Sequence, residues 1–264
     1  TINYLDSETR ESLHDAKVQG NQVLGTKINA NDEIIDIDGY EFESVDKMSI
    51  TIRTGENVIN IYYARRKDLT YTMNFLEKGT NEVLADAKVV RGQTFEAIVS
   101  SSGKQIEIDG YNYDSVDKRT LTIGTGVNEF NFYYTKRNDL SYTVNYLEEG
   151  TNKVLHEAKI VNNQVFEASV TENAIDIVGY VKPEVESQTI TIKVSGNVIN
   201  FYYTKRNDLK YTVNHYEEGT TSVVAPTEVI ENVVFETVID SKTRAKTIDG
   251  YSYKSCTPEA LTVG

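Results

Sequence analysis

The chain repeats itself at a nearly fixed interval, and this constrains its fold more than any other feature. YTMNFLEKGT at Tyr71, YTVNYLEEGT at Tyr142 and YTVNHYEEGT at Tyr211 recur at spacings of 71 and 69 residues, and the opening TINYLD is the same motif joined one residue late. A second anchor, Gly39-Tyr40, returns as Gly110-Tyr111, Gly179-Tyr180 and Gly250-Tyr251. A third, Tyr62-Tyr63, returns as Tyr133-Tyr134 and Tyr202-Tyr203. Self-similarity of this period marks tandem copies of one small unit rather than one large core. Four repeats follow: 1–70, 71–141, 142–210 and 211–264. Repeat 4 stops at Gly264, before any counterpart of GVNEFNFYYTKR, so it is expected to lack its last strand and to be the least stable copy. A unit of about 70 residues buries a small core and gains from packing on its neighbours.

Within repeat 3, Tyr142, Val144 and Tyr146 alternate with Thr143 and Asn145, the period of two of a half-buried strand. Glu149-Gly150-Thr151-Asn152 supplies turn chemistry, and Val154 to Val161 reads as the returning strand of a hairpin. Repeat 1 has Glu8 in place of the turn glycine. Gln164 to Glu172 and its counterpart Gln93 to Ser101 lack strand alternation, and Val165, Phe166, Ala168 and Val170 there predict a short helix or helical turn. Repeat 3 loses two residues around Thr171 to Ala174, which predicts a surface loop. The glycine of each Gly-Tyr pair is expected at positive φ where a strand begins. Ile190 and Ile192 then alternate with Thr189 and Thr191 in a third strand. In the fourth, Phe130, Phe132 and Tyr134 face one way while Glu129, Asn131 and Tyr133 face the other. Two hairpins with a short helix covering one face make an α+β, mostly β unit, for which a β-grasp-like (ubiquitin-like) fold is the best fit.

The charge balance narrows the partners. With 27 Lys and Arg against 40 Asp and Glu, the net charge of −13 repels phosphate backbones and anionic lipid heads, so no nucleic acid is expected as a partner. No apolar run reaches the length that crosses a bilayer, so no membrane insertion is expected of these residues. Thr1 opens in mid-strand with no basic n-region or apolar h-region behind it, so any signal sequence or anchor is expected to lie outside these residues. The single cysteine, Cys256, leaves no internal disulfide and shares a column with Val45, Val116 and Val185, where a small buried apolar role is expected.

Catalysis needs an acid, base or nucleophile in a fixed geometry, and no such set recurs. His14 and His156 share a column with Ala85 and Ala225, and His215 replaces Tyr4, Phe75 and Tyr146. A non-enzymatic chain without a cofactor is expected. Asp36-Ile37-Asp38-Gly39 looks like part of a calcium loop, but EIDG, DIVG and TIDG in the other repeats lack the acidic pair, which favours a solvated turn. Lys17, Lys88 and Lys159 share one column and Asn60, Asn131 and Asn200 another, the pair of groups an isopeptide crosslink would use; a solvated lysine opposite a strand asparagine is the simpler expectation. The junctions Arg66-Lys67-Asp68-Leu69, Arg137-Asn138-Asp139-Leu140 and Arg206-Asn207-Asp208-Leu209 are short and free of Gly and Pro. They predict stiff joints in which Leu69, Leu140 and Leu209 plug between neighbouring repeats while the basic residues stay solvated, giving an extended, monomeric rod.

The opening Y-T-V-x-Y, the central G-Y and the closing F-Y-Y resemble the MucBP (mucin-binding protein) repeats of Gram-positive surface adhesins, across all four copies. The resemblance implies a β-grasp-like fold, an extracellular location, wall-attached or secreted, and adhesion to mucin, other glycans or host surface glycoproteins. It equally accommodates a structural spacer that holds a distal domain away from the wall, and an accessory region of a secreted enzyme is a third reading. A ligand surface, if present, is expected on the outward face of the last strand, where Asn60 and Tyr62, Asn131 and Tyr133, and Asn200 and Tyr202 recur. There a ring stacks on a sugar while the amide hydrogen-bonds its hydroxyls. The competing expectation packs these tyrosines under the short helix.

Overall fold

The computed structural model describes all residues, Thr1–Gly264. They form two compact units, Thr1–Lys136 and Arg137–Gly264, each holding the strands of two repeats, and the opening strands of repeats 2, 3 and 4 begin at Leu69, Leu140 and Leu209, two residues ahead of the bounds read from the sequence. Repeat 1 contains β1 (Ile2–Asp6), β2 (Ser12–Lys17), β3 (Lys27–Asn29), β4 (Tyr40–Val45), β5 (Ser49–Thr51) and β6 (Ile59–Arg65). Repeat 2 contains β7 (Leu69–Glu77), β8 (Val83–Gln93), β9 (Ile98–Ser100), β10 (Tyr111–Val116), β11 (Thr120–Thr122) and β12 (Glu129–Lys136). Repeat 3 contains β13 (Leu140–Glu148), β14 (Val154–Gln164), β15 (Ser169–Asn173), β16 (Tyr180–Val181), β17 (Ser187–Thr191) and β18 (Val198–Lys205). Repeat 4 contains β19 (Leu209–Tyr216), β20 (Val223–Val233), β21 (Val238–Asp240) and β22 (Ala260–Thr262).

The opening hairpin forms as the alternation requires. Gly79 and Gly150 take positive φ in its turn, and Asn81 and Asn152 adopt the left-handed conformation two residues later; in repeat 1, where Glu8 replaces the glycine, Arg10 fills that left-handed position. The closing strand does not form a second hairpin. It lies parallel to the opening strand, giving sheet orders β2-β1-β6-β4, β8-β7-β12-β10 and β14-β13-β18-β16. A parallel partner requires a crossover, and the chain between the second and last strands of each repeat supplies it.

The crossover contains no covering helix, so the α+β expectation is corrected to a nearly all-β unit. The stretch Gln164 to Glu172 makes a tight turn, with the Ala168 N–H donating to the Val165 carbonyl at 3.1 Å, and then enters β15. Glu167 occupies the turn at φ 62. The turn interrupts the apolar spacing, which is why the segment reads as helical. The third strand pairs with this new one rather than with the closing strand: β3 with β5, β9 with β11, β15 with β17 and β21 with β22. Helical geometry is confined to 3₁₀ turns at Ala30–Glu33 and Ser241–Arg244. The loop expected around Thr171 to Ala174 is strand as far as Asn173.

Each core lies under the central parallel pair. In repeat 2, Met73 aligns with Phe130 and Phe75 with Phe132, and the two rings of the second pair stack with centroids 5.7 Å apart. Phe75, Phe130, Phe132 and Tyr134 are all fully buried. Burying one such side chain is worth on the order of 1.5–3 kcal/mol, so these four dominate a small core. The second tyrosine of each Tyr-Tyr pair ties the crossover to the sheet: the Tyr63, Tyr134 and Tyr203 hydroxyls each donate to a backbone carbonyl, of Ile35, Ile106 and Ile175, at 2.9–3.0 Å. In repeat 4, β19 pairs with β20 alone, and Tyr216 stands exposed.

Candidate functional site

The period of two along β6, β12 and β18 buries Ile61, Phe132 and Phe201 and turns Asn60, Tyr62, Asn131, Tyr133, Asn200 and Tyr202 to the other face. No helix covers that face, so these tyrosines are not packed under one. The asparagines face a second asparagine in register on the opening strand: Asn3 with Asn60, Asn74 with Asn131, Asn145 with Asn200. In each pair the opening-strand amide donates to the closing-strand Oδ1 at 2.8–2.9 Å.

In repeats 1 and 2 one hydrogen of the closing-strand amide is also engaged. Asn60 donates through Nδ2 and its backbone N–H to Asp46 at 2.9 and 2.8 Å, and Asn131 does the same to Asp117 at 3.1 and 3.0 Å. The Arg10 guanidinium covers the Tyr62 ring, 4.1 Å from its centroid. In repeat 2 a salt bridge of 2.7 Å joins Lys78 to Asp114.

Repeat 3 differs at these positions. Its counterpart of Asp46 and Asp117 is Glu186, whose carboxylate lies 3.7 Å from Lys182, and Asn200 Nδ2 is left without a protein acceptor. Pro183 replaces Asp114 and Glu149 replaces Lys78, so the bridge cannot form. Proline also has no N–H to give to a ladder, and β16 ends after Tyr180–Val181, two residues against six in β4 and β10. The result is a groove of about 360 Å³ lined by Glu149, Pro183, Glu184, Gln188, Asn200 and Tyr202, with Tyr202 41% exposed. Gln188 Nε2 donates to the Asn200 carbonyl at 3.0 Å, standing in for the backbone N–H that Asp46 and Asp117 give to Asn60 and Asn131. Asp176, 3.0 Å from Lys182, holds its ammonium above the usual lysine range.

The joints are also built differently from the expectation. Leu69 and Leu140 are buried in the cores of their own repeats and Leu209 is half-buried at the start of β19, so none of them is the plug. That role falls to a phenylalanine. Phe95 seats edge-on against Tyr40, centroids 5.6 Å apart, and fills the space a Cβ on Gly39 would need; Phe235 does the same to Tyr180 and Gly179. The chain is threaded through the joint by hydrogen bonds. Arg66 N–H donates to the Gly39 carbonyl at 3.0 Å and Phe95 N–H to the Arg66 carbonyl at 2.9 Å, repeated at Gly179, Arg206 and Phe235. Charge closes the joint: Arg65 meets Glu96 at 3.2 Å, and Lys205 meets Glu236 at 2.8 Å. The junction arginines are not simply solvated either. Arg66, Arg137 and Arg206 each fork onto the aspartate two residues on, and that bond holds Asp68, Asp139 and Asp208 below the usual carboxylate range.

Lys17 and Lys159 pair with carboxylates, Glu33 and Glu172, at 2.7 Å rather than with the strand asparagines. His14 and His156 pack edge-on against Tyr4 and Tyr146. Asp38 accepts from the Thr125 hydroxyl at 3.0 Å, and no group of three or more His, Cys, Asp or Glu side chains converges as a metal site would require. Cys256 is half-buried, its Sγ accepting from the Tyr253 hydroxyl at 3.3 Å. No helix is long and apolar enough to cross a membrane.

Among solved structures, the chain is similar to Mub-RV, at 17% identity over 52% of this chain and 98% of that one, with a TM-score of 0.22. It is similar to the type 2 repeat of the mucus binding protein MUB from Lactobacillus reuteri, at 16% identity, 52% and 99% coverage and a TM-score of 0.21. The chain resembles mucus-binding repeats. A comparable similarity is to Streptococcal High Identity Repeats in Tandem (SHIRT) domains 3-4 from a cell surface protein, at 15% identity, 52% and 96% coverage and a TM-score of 0.23. No family model matches the sequence, and no curated protein matches it.

Proposed function

We propose that this chain is the repeat region of a bacterial cell-surface adhesin, displayed outside the cell, that extends a distal domain and carries adhesion to mucin or other host glycans on the outward face of its closing strands. The joint carries the reading. Phe95 on Gly39 and Phe235 on Gly179, with backbone hydrogen bonds on both sides of the arginine between, leave little slack between successive repeats. Such joints in series support an extended monomeric rod. Strand order, with first and last strands parallel at the sheet centre, supports a β-grasp variant whose covering helix is replaced by a two-stranded ladder.

The aspartate-bound amides of Asn60 and Asn131 and the covered ring of Tyr62 favour a spacer role for repeats 1 and 2. Two measurements test the proposal. Small-angle scattering is expected to give a radius of gyration well above that of a sphere of this mass, and a spherical value overturns the rod. The chain is expected to bind immobilised mucin, and absence of binding leaves only the spacer role.

A further inference from the structure

We propose that the groove of repeat 3 is a binding site for neutral sugars, the one place where the outward face of a closing strand is open to a ligand. The inference rests on the adhesion reading above and assigns it a location and a ligand class. The internal comparison is what isolates this site. Three repeats share the Asn-Tyr pair on the closing strand, but only repeat 3 combines an exposed ring, Tyr202, with an amide whose two hydrogens both lack a protein acceptor, Asn200 Nδ2, beside a cavity. Two substitutions within the chain's own repeats make the opening. Pro183 in place of Asp114 cuts the edge strand short, and Glu149 in place of Lys78 removes the cation that bridges the same position in repeat 2.

The chemistry selects the ligand. A tyrosine ring at a groove wall offers a flat apolar face to the C–H face of a pyranose, while the amide donates to hydroxyl oxygens. Glu149 and Glu184 supply acceptors for sugar hydroxyl hydrogens, and neither has a cation of its own within salt-bridge distance. Lys182, the cation lining the groove, is held by Asp176 at 3.0 Å and Glu186 at 3.7 Å. The local field is therefore negative. A sugar bearing a carboxylate or sulfate is repelled there, and one with hydroxyls alone is not.

Amide chemical-shift mapping of the full chain tests this, with lactose and chitobiose as neutral probes and 3′-sialyllactose as the charged one. Shifts are expected at 182–188 and 198–204 with the neutral sugars at millimolar concentration, and about tenfold weaker binding of sialyllactose. Tyr202→Ala is expected to abolish them, and Tyr133→Ala to leave them unchanged. The double change Glu149→Lys with Pro183→Asp, which installs the bridge of repeat 2, is expected to close the groove with Tyr202 still in place. Preserved melting temperatures confirm that loss of binding is not loss of fold. Equal shifts around Tyr62, Tyr133 and Tyr202, or tighter binding of sialyllactose, overturn the groove while leaving adhesion standing. Mucin binding without a shift at 182–188 from either neutral sugar also overturns it, and failure to bind mucin at all is failure of the adhesion reading itself.

Discussion

The Tyr134 hydroxyl and the backbone of Ile106 exchange two hydrogen bonds, the Ile106 N–H donating to the phenol oxygen at 3.0 Å and the phenol donating back to the Ile106 carbonyl at 2.9 Å. Both ends of one peptide residue in the crossover are thereby satisfied by a single ring from the sheet. Tyr134→Phe leaves a half-buried N–H and carbonyl unpaired and is expected to cost about 1–3 kcal/mol in urea unfolding. Tyr133→Phe, one residue back on the outward face, is expected to change stability by less than about 0.5 kcal/mol.

Gly39 and Gly250 provide a matched pair for the joint. Both take positive φ, 78° and 81°, so alanine at either position carries a backbone penalty of about 1–2 kcal/mol. Only at Gly39 does the added Cβ also collide with Phe95; nothing stands within 4 Å at Gly250. Gly39→Ala is expected to speed tryptic cleavage at Arg66 and Lys67, and Gly250→Ala is not. Equal protection of the joint in both variants would show that Phe95 does not hold it.

Asn131 sits between Asn74 and Asp117, whereas Asn200 has Asn145 alone. Asn131→Ala removes the side-chain bond to Asp117 and the Oδ1 acceptor of the Asn74 amide, and is expected to destabilise its repeat by about 1–3 kcal/mol. Asn200→Ala is expected to cost roughly 1 kcal/mol less. Paired denaturation curves would reveal the difference.

Repeat 3 should respond to pH at both extremes through one carboxylate. Burial, then the hydrogen bond to Glu172, pushes Tyr142 up to about 12, so its stabilising effect is intact below pH 10 and is lost as pH rises from there through about 12. Burial pushes the Glu172 carboxyl up, but Lys159 and the Tyr142 hydroxyl outweigh it and hold it below the ordinary glutamate value of 4.5. That contribution is present above pH 4.5 and is lost as pH falls through the lowered pKa. Glu172→Gln is expected to flatten the acid arm of the melting profile and to let Tyr142 ionise earlier, as read by ultraviolet titration. An unchanged acid arm would sink the assignment.

A salt bridge of opposite polarity forms in repeat 4, where Glu228 occupies the lysine column and pairs with Lys246, which lies elsewhere along the crossover than the counterpart of Glu172. Lys159→Glu and Glu172→Lys are each expected to destabilise repeat 3, and the double change to recover about 0.2–1 kcal/mol of coupling, since Lys159 is half exposed. Additive losses would mean that the Lys159–Glu172 pair has no coupling energy.

The strands that alternate cleanly were legible from the residues alone: the opening strand around Tyr142, the closing strand around Phe132 and the returning strand from Val154 all stand where the period of two puts them. So was the positive φ of Gly39, Gly110, Gly179 and Gly250. Pairing was not, because alternation fixes which face a residue takes but not which strand lies beside it. Hence the closing strand reads as a hairpin partner and is in fact parallel to the opening one. The strand mistaken for helix hides behind Glu96, Glu167 and Glu236, which occupy a left-handed turn position at φ 62–63. Gly25, in the same column of repeat 1, was the available signal. The joint was misread because a leucine beside a linker looks like a plug, while Phe95 and Phe235 lie a strand pair further along the chain. That Asn and Tyr share one face of the closing strand was legible from the alternation; whether a helix covers that face was not, because alternation does not say what lies against a face. That an aspartate binds the amide in two repeats was not legible either, since Asp46 and Asp117 meet the closing strand only through a bulged strand pairing.

The parallel pairing of β7 with β12 also determines how a repeat carries load. The chain enters repeat 2 at the start of β7 and leaves it at the end of β12, so tension along the chain drags these two strands in opposite directions along their common axis. Every ladder bond between them, together with the Asn74–Asn131 link, is then strained at once, whereas a hairpin pulled from its open end gives way one bond at a time. The repeat is fastened like a lap joint rather than a zip, and the closing strand that overlaps the opening one is also the strand that hands the pull to the next module.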